Sequence, residues 1–306
     1  ALAVVLYDIL AFTAQPLLGI LQDTKASASV LLVSGLVVIA FANIFSFLGI
    51  IIQAIMLGVG NAFAHIGGFA IATDSAPKDR MTPLGLYVAP GSLGLGIGAL
   101  YPEFGLVFAI LGLVAAAAFI AIEHFMPDAI RKEPAKPLPK GADTDVDWIL
   151  LGVVLVVVLI RGLCGKLATG EYVNDVAGNM AIYVAIFLGK AVGGFLADRI
   201  GIIQVTLVGF FPSLIGLVFF RDVEILYLFS VFLFNFTMPV TLFIAMKSVR
   251  GFPVFAFGMT AAILFLGTYV GEWVETSYDA PWYLILGMLL ITVGGIIYAY
   301  KRMIKK

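Results

Sequence analysis

Stretches of roughly 20 mainly apolar residues, the length needed to cross a bilayer as a helix, recur eleven times along this chain. They cover approximately 1–21, 29–47, 49–72, 82–101, 104–125, 148–169, 177–197, 202–220, 225–246, 253–271 and 282–300. The runs lack period-2 alternation, which excludes a transmembrane barrel and predicts an all-α polytopic membrane protein. Only 12% of the 306 residues are charged and 62% are hydrophobic, with a mean hydropathy of +1.09. A soluble domain of this length needs far more surface charge.

The basic residues order these spans. Lys25, Lys78, Arg80, Arg131, Lys132, Lys136, Lys140, Arg199, Lys247, Arg250, Lys301, Arg302, Lys305 and Lys306 all fall in alternate connections or the tail. The other connections carry Arg221 and an excess of acidic residues, among them Glu103, Glu171, Asp175, Glu224, Glu272, Glu275 and Asp279. This asymmetry follows the positive-inside rule and predicts a cytoplasmic C-terminus and a cytoplasmic 127–147 connection. That connection, "PDAIRKEPAKPLPKGADTDVD", is the only long polar, proline-rich break and reads as a linker. It divides the chain into an N-terminal half, 1–126, and a C-terminal half, 148–306.

A feature repeats across the linker. "GGFLADRIG" (193–201) and "LLGILQDTK" (17–25) occupy matching helix ends, and the pairs Gly19/Gly194 and Asp23/Asp198 share one offset of 175 residues. Two repeats of this size read as a 6 + 6 transporter plan. Here the sequence resembles the major facilitator superfamily, whose G-x-L-x-D-R-x-G turn follows the second helix of each half. Gly194, Leu196, Asp198, Arg199 and Gly201 match it; Gly19, Leu21 and Asp23 match it in part, with Thr24 in place of the Arg. The resemblance implies secondary transport by alternating access around a site between the two halves. It also implies that Gly19, Asp23, Gly194, Asp198 and Arg199 latch one conformation. The same offset places a further helix, about 27 residues long, before Ala1, so the chain reads as eleven of twelve helices.

Several polar groups fall inside spans, where they are costly to bury and commonly functional. From the helical rise, His65 and Lys190 lie ~13 and ~12 Å from the inner face, and Arg161 and Asp8 lie ~21 and ~22 Å from it. Asn61 and His65, in "GNAFAHIGG", share a helix face, and Asn235 in "FNFTMPVTL" echoes Asn61 at an offset of 174. The resemblance implies that these two helices line the central cavity. His65 reads either as a substrate contact and proton carrier or as a neutral tie between helices. Arg161 and Lys190 make an electropositive site if both face a cavity. Otherwise Arg161 pairs with a carboxylate such as Asp8, and Lys190 snorkels to the surface.

The expected function is movement of a small organic solute, with the cations favouring an anion and a proton or another ion as coupling partner. Asp8 keeps efflux of cationic or amphipathic drugs open as an alternative, and Thr24 keeps open a transporter-like sensor that moves nothing. Ala54 stands where proton-coupled members often carry Arg, and Ala89-Pro90 where antiporters often have Gly-Pro. No cofactor or metal is expected from Cys164 and two histidines. No Walker-type loop appears, no set of convergent catalytic groups marks an enzyme, and the near-zero net charge argues against nucleic acid. A monomer in the inner (plasma) membrane is the expected form.

Overall fold

The computed structural model describes residues 2–74, 79–125, 146–168, 176–275 and 280–305. Most of the 127–147 linker therefore lies outside the described residues. In chain order the helices are α1 (Leu2–Thr24), α2 (Ala28–Ile44), α3 (Ile50–Asp74), α4 (Thr82–Leu100), α5 (Pro102–Phe125), α6 (Trp148–Leu167), α7 (Val176–Ile200), α8 (Ile202–Phe219), α9 (Glu224–Ser248), α10 (Pro253–Glu275) and α11 (Trp282–Met303). Among the described residues ten of these are long and apolar enough to span a bilayer, and no β-strand occurs. Only α2 falls short. It stops at Ile44 because Ser46–Leu48 tightens into a 3-10 turn and Gly49 follows at φ +107°.

The outward faces are hydrocarbon. On α5, Leu106, Val107, Ile110, Leu111 and Val114 are all exposed. The three tryptophans sit at or near span ends, Trp148 and Trp282 opening α6 and α11 and Trp273 near the end of α10. Amphipathic rings belong at that level of a membrane. The chain is a multi-pass membrane protein.

Contacts group the chain into two compact units, each drawing residues from both sides of the linker. The first comprises 1–78, 101–145 and 249–262; the second comprises 79–100, 146–248 and 263–306. In the first unit, α2 and α3 cross through glycines. A Cβ on Gly35 would lie 2.6 Å from the Gly60 carbonyl, and one on Gly67 would lie 2.6 Å from the Ala28 carbonyl. Small residues let two backbones approach closely, gaining dispersion where no hydrophobic force acts between helices. In the second unit, α4 and α7 run antiparallel and meet at Gly85 and Gly194, where an added Cβ on either would lie 3.2 Å from the other's Cα. Asp147 joins the start of α6 to the end of α11, capping Leu150 N–H at 3.0 Å and accepting from Arg302 Nε at 2.9 Å.

Four spans are interrupted near a proline. A π-helical segment, Ile9–Thr13, precedes Pro16 in α1, and α4 breaks between Val88 and Pro90. Pro212 precedes a π-helical segment, Ile215–Phe219, in α8, and a 3-10 turn, Asn235–Thr237, precedes Pro239 in α9. Proline removes a ladder N–H, and the freed carbonyls take other partners. Two of these breaks build the polar site.

Candidate functional site

In the second unit two cations lie deep inside spans. Arg161 is about 20 Å along α6 from Trp148, and Lys190 is about 15 Å along α7 from Ile200. Arg161 is only 4% exposed. Its Nη1 donates to the Thr237 hydroxyl, which donates in turn to the Phe234 carbonyl at 3.2 Å. The guanidinium carbon sits 5.0 Å from the Phe234 ring centroid, in cation–π range. Lys190 Nζ donates to Ser92 Oγ at 2.9 Å, and Ser92 donates to the Ala89 carbonyl at 3.0 Å.

The two arrangements share one logic. Each cation is held by a hydroxyl three residues beyond a carbonyl at a helix break, Ala89 beside Pro90 or Phe234 beside the Asn235–Thr237 turn. Each hydroxyl spends its proton on that carbonyl and turns a lone pair to the cation. Among the described residues no carboxylate pairs with Arg161 or Lys190, and Arg161 Nε has no hydrogen-bond partner. Gly189, next to Lys190, lets α7 pack closely on the turn that carries Thr237, since a Cβ on it would lie 2.8 Å from Asn235 Cβ. Asn235 opens the 3-10 turn, with Nδ2 donating to the Val231 carbonyl at 2.8 Å.

The remaining sequence candidates belong to the first unit. Asn61 and His65 are partly buried on α3, and Asp8 directly precedes the π-helical segment of α1. These helices touch, because a Cβ on Gly58 would lie 2.8 Å from the Tyr7 carbonyl. His65 stacks on Phe257 with centroids 6.4 Å apart, and Phe69, one turn further, stacks on the same ring at 4.0 Å. The Asn61–Asn235 echo has no backbone counterpart, for α3 runs unbroken through Asn61.

The repeated turns form two matching caps. Asp198 accepts the Met81 and Thr82 N–H groups at 2.8 and 2.9 Å and the Thr82 hydroxyl at 2.5 Å. Asp23 accepts the Val254 and Phe255 N–H groups at 3.2 and 2.8 Å. Each carboxylate faces the positive N-terminal end of a helix, α4 or α10. Four residues earlier, Gly194 and Gly19 make room, since their added Cβ atoms would lie 2.6 Å from the Met81 carbonyl and 2.7 Å from Phe255 Cα. Gly201 closes the second turn at φ +93°, a left-handed conformation suited to glycine. Arg199 is exposed and lies over Phe195, 4.8 Å from its ring centroid, outside these hydrogen bonds. Sequence reasoning missed Ser92, Thr237 and Thr82. A hydroxyl within three residues of a predicted proline break was the available signal for the first two.

No protein-family model matches this chain, and no curated protein matches it in sequence. A solved structure does: the crystal structure of a Major Facilitator Superfamily (MFS) transporter, FucP, in the outward conformation. The match covers 98% of this chain and 89% of that one with a TM-score of 0.62, at 12% sequence identity. Backbone agreement over nearly the whole chain at so low an identity is agreement of architecture. The chain has the fold of the major facilitator superfamily.

Proposed function

We propose that this protein belongs to that superfamily and is a secondary active transporter, moving a small organic anion by alternating access. The observation that carries this reading is the pair Arg161, buried, and Lys190, partly buried, both within spans and steadied by neutral hydroxyls. A buried guanidinium without a counter-charge costs several kcal/mol, so its place in the fold is explained by a ligand that supplies the charge. Thr237 and Ser92 orient the cations without cancelling them. The Asp23 and Asp198 caps act as the latch, holding helix ends that part when access switches. The basic connections put those ends, the 127–147 linker and the C-terminus in the cytoplasm.

Purified protein in proteoliposomes tests this directly. Uptake of radiolabelled carboxylates under imposed pH and Na⁺ gradients is expected, and Arg161→Gln is expected to abolish it without loss of fold. Binding of cationic amphipaths with no anion uptake would instead favour drug efflux with Asp8 as counter-charge. Ligand binding without flux under any gradient would sink the transport reading.

A further inference from the structure

We infer that the site built on Arg161 and Lys190 selects dianions, such as dicarboxylates or an oxyanion of charge −2, over monoanions of the same size. This deepens the anion-transport reading and rests on it.

Charge balance is the argument. Two cations flank the approach of α7 to α9: Lys190 follows Gly189, whose added Cβ would lie 2.8 Å from Asn235 Cβ, and Arg161 donates to Thr237, two residues beyond Asn235. Their partners are the Thr237 and Ser92 hydroxyl oxygens and the Phe234 ring face. A monoanion leaves one of the two charges uncompensated in a low-dielectric surrounding, where a dianion neutralises both. The donor geometry divides the work. Arg161 is fixed by Thr237 and by Phe234, yet its Nε remains unsatisfied, so one edge of the guanidinium can still donate to an oxyanion. Lys190 is a point charge on a flexible stem, held by a single bond to Ser92, and it can swing to a second oxyanion at small cost. The site is thus a rigid fork beside a movable ammonium, matched to a ligand with two negative ends or one doubly charged head.

The test uses the full chain in lipid nanodiscs at pH 7.5 and constant ionic strength, with ligand-induced thermal shift as readout. Succinate and sulfate are the dianion probes, and butyrate and acetate are the monoanions. Wild type is expected to bind succinate at least about tenfold more tightly than butyrate. Lys190→Gln should erase that preference by weakening succinate, leaving butyrate within about threefold, because only the second charge is lost. Lys190→Arg should restore the preference. If wild type binds butyrate as tightly as succinate while Arg161→Gln removes both, the dianion inference is overturned and the anion reading stands. If none of the four anions shifts the wild type, the anion reading falls and this inference goes with it.

Discussion

Gly19 and Asp23, four residues apart on α1, grip the same residue of α10. An added Cβ on Gly19 would lie 2.7 Å from Phe255 Cα, and Asp23 accepts the Phe255 N–H at 2.8 Å. The glycine sets the distance at which the carboxylate works. Gly19→Ala is therefore expected to cost about 1–3 kcal/mol, since backbone atoms, unlike a flexible side chain, cannot move aside cheaply. Gly287→Ala is the matched control, for nothing lies within 4 Å of its added Cβ. It should be neutral or stabilise by up to about 1 kcal/mol through helix propensity. Cys164, buried and the only cysteine, lets unfolding be followed with a thiol-reactive dye. Equal effects of the two substitutions would show that the α1–α10 approach is not tight.

The two caps are not equal. Asp198 accepts three bonds and Asp23 two, the difference being the Thr82 hydroxyl at 2.5 Å. Asp198→Asn should destabilise more than Asp23→Asn, by about 1 kcal/mol, the net worth of one further hydrogen bond. Thr82→Val in the Asp198→Asn background should add little beyond the single change, because both remove the same contact. Additive losses in that double-mutant cycle would place the role of Thr82 elsewhere.

Acid should act on the Asp79–Lys247 pair. Lys247 Nζ lies 2.6 Å from Asp79 Oδ1, and this hydrogen bond and the lysine charge hold the Asp79 carboxyl below the usual carboxylate range. A depressed carboxylate pKa gives stability that is present above the unfolded value and lost as pH falls through the folded one. The melting difference between wild type and Asp79→Asn should thus be present at neutral pH and vanish in acid below that folded value. Both partners are partly or wholly exposed, so added salt should shrink the difference as well. Intrinsic fluorescence melts across a pH series would reveal it, and a difference that persists in strong acid would exclude the pair as its source.

What could be read from the sequence was what depends on composition along one helix. Apolar length located the spans, and the positions of Arg161 and Lys190 along them followed from helical rise alone. The repeat at Gly19/Asp23 and Gly194/Asp198 announced two caps, because glycine followed four residues later by Asp is itself a local pattern. Their partners were not legible: Met81 and Thr82 are more than 100 residues from Asp198, and no pattern marks a helix N-terminus as the one that will be capped. The hydroxyls at Ser92 and Thr237 were hidden for a related reason. A Ser or Thr in a span usually bonds its own helix, and these two do so as well. Only the second lone pair, turned toward a cation on another helix, distinguishes them. The Asn61–Asn235 echo is one of sequence position without a shared backbone break, since a 3-10 turn precedes Pro239 in one helix and the other runs intact through His65, at the matching place.

Arg161 offers the clearest separation of stability from function. A structural arginine is paired, and its loss leaves a partner charge buried and alone, at a cost of about 3–5 kcal/mol. Arg161 has a hydroxyl and a ring as partners, and its Nε has none. Arg161→Met keeps much of the volume and removes an uncompensated charge, leaving Thr237 with its bond to Phe234. The expected result without ligand is unchanged or increased stability, by about 1 kcal/mol or more, together with complete loss of anion-induced stabilisation and of uptake. Thermal melts with and without succinate measure both quantities on one sample. A variant that melts well below wild type and still responds to succinate would make Arg161 a structural residue, whereas a more stable, unresponsive variant would mark a site that gives up stability to hold its ligand.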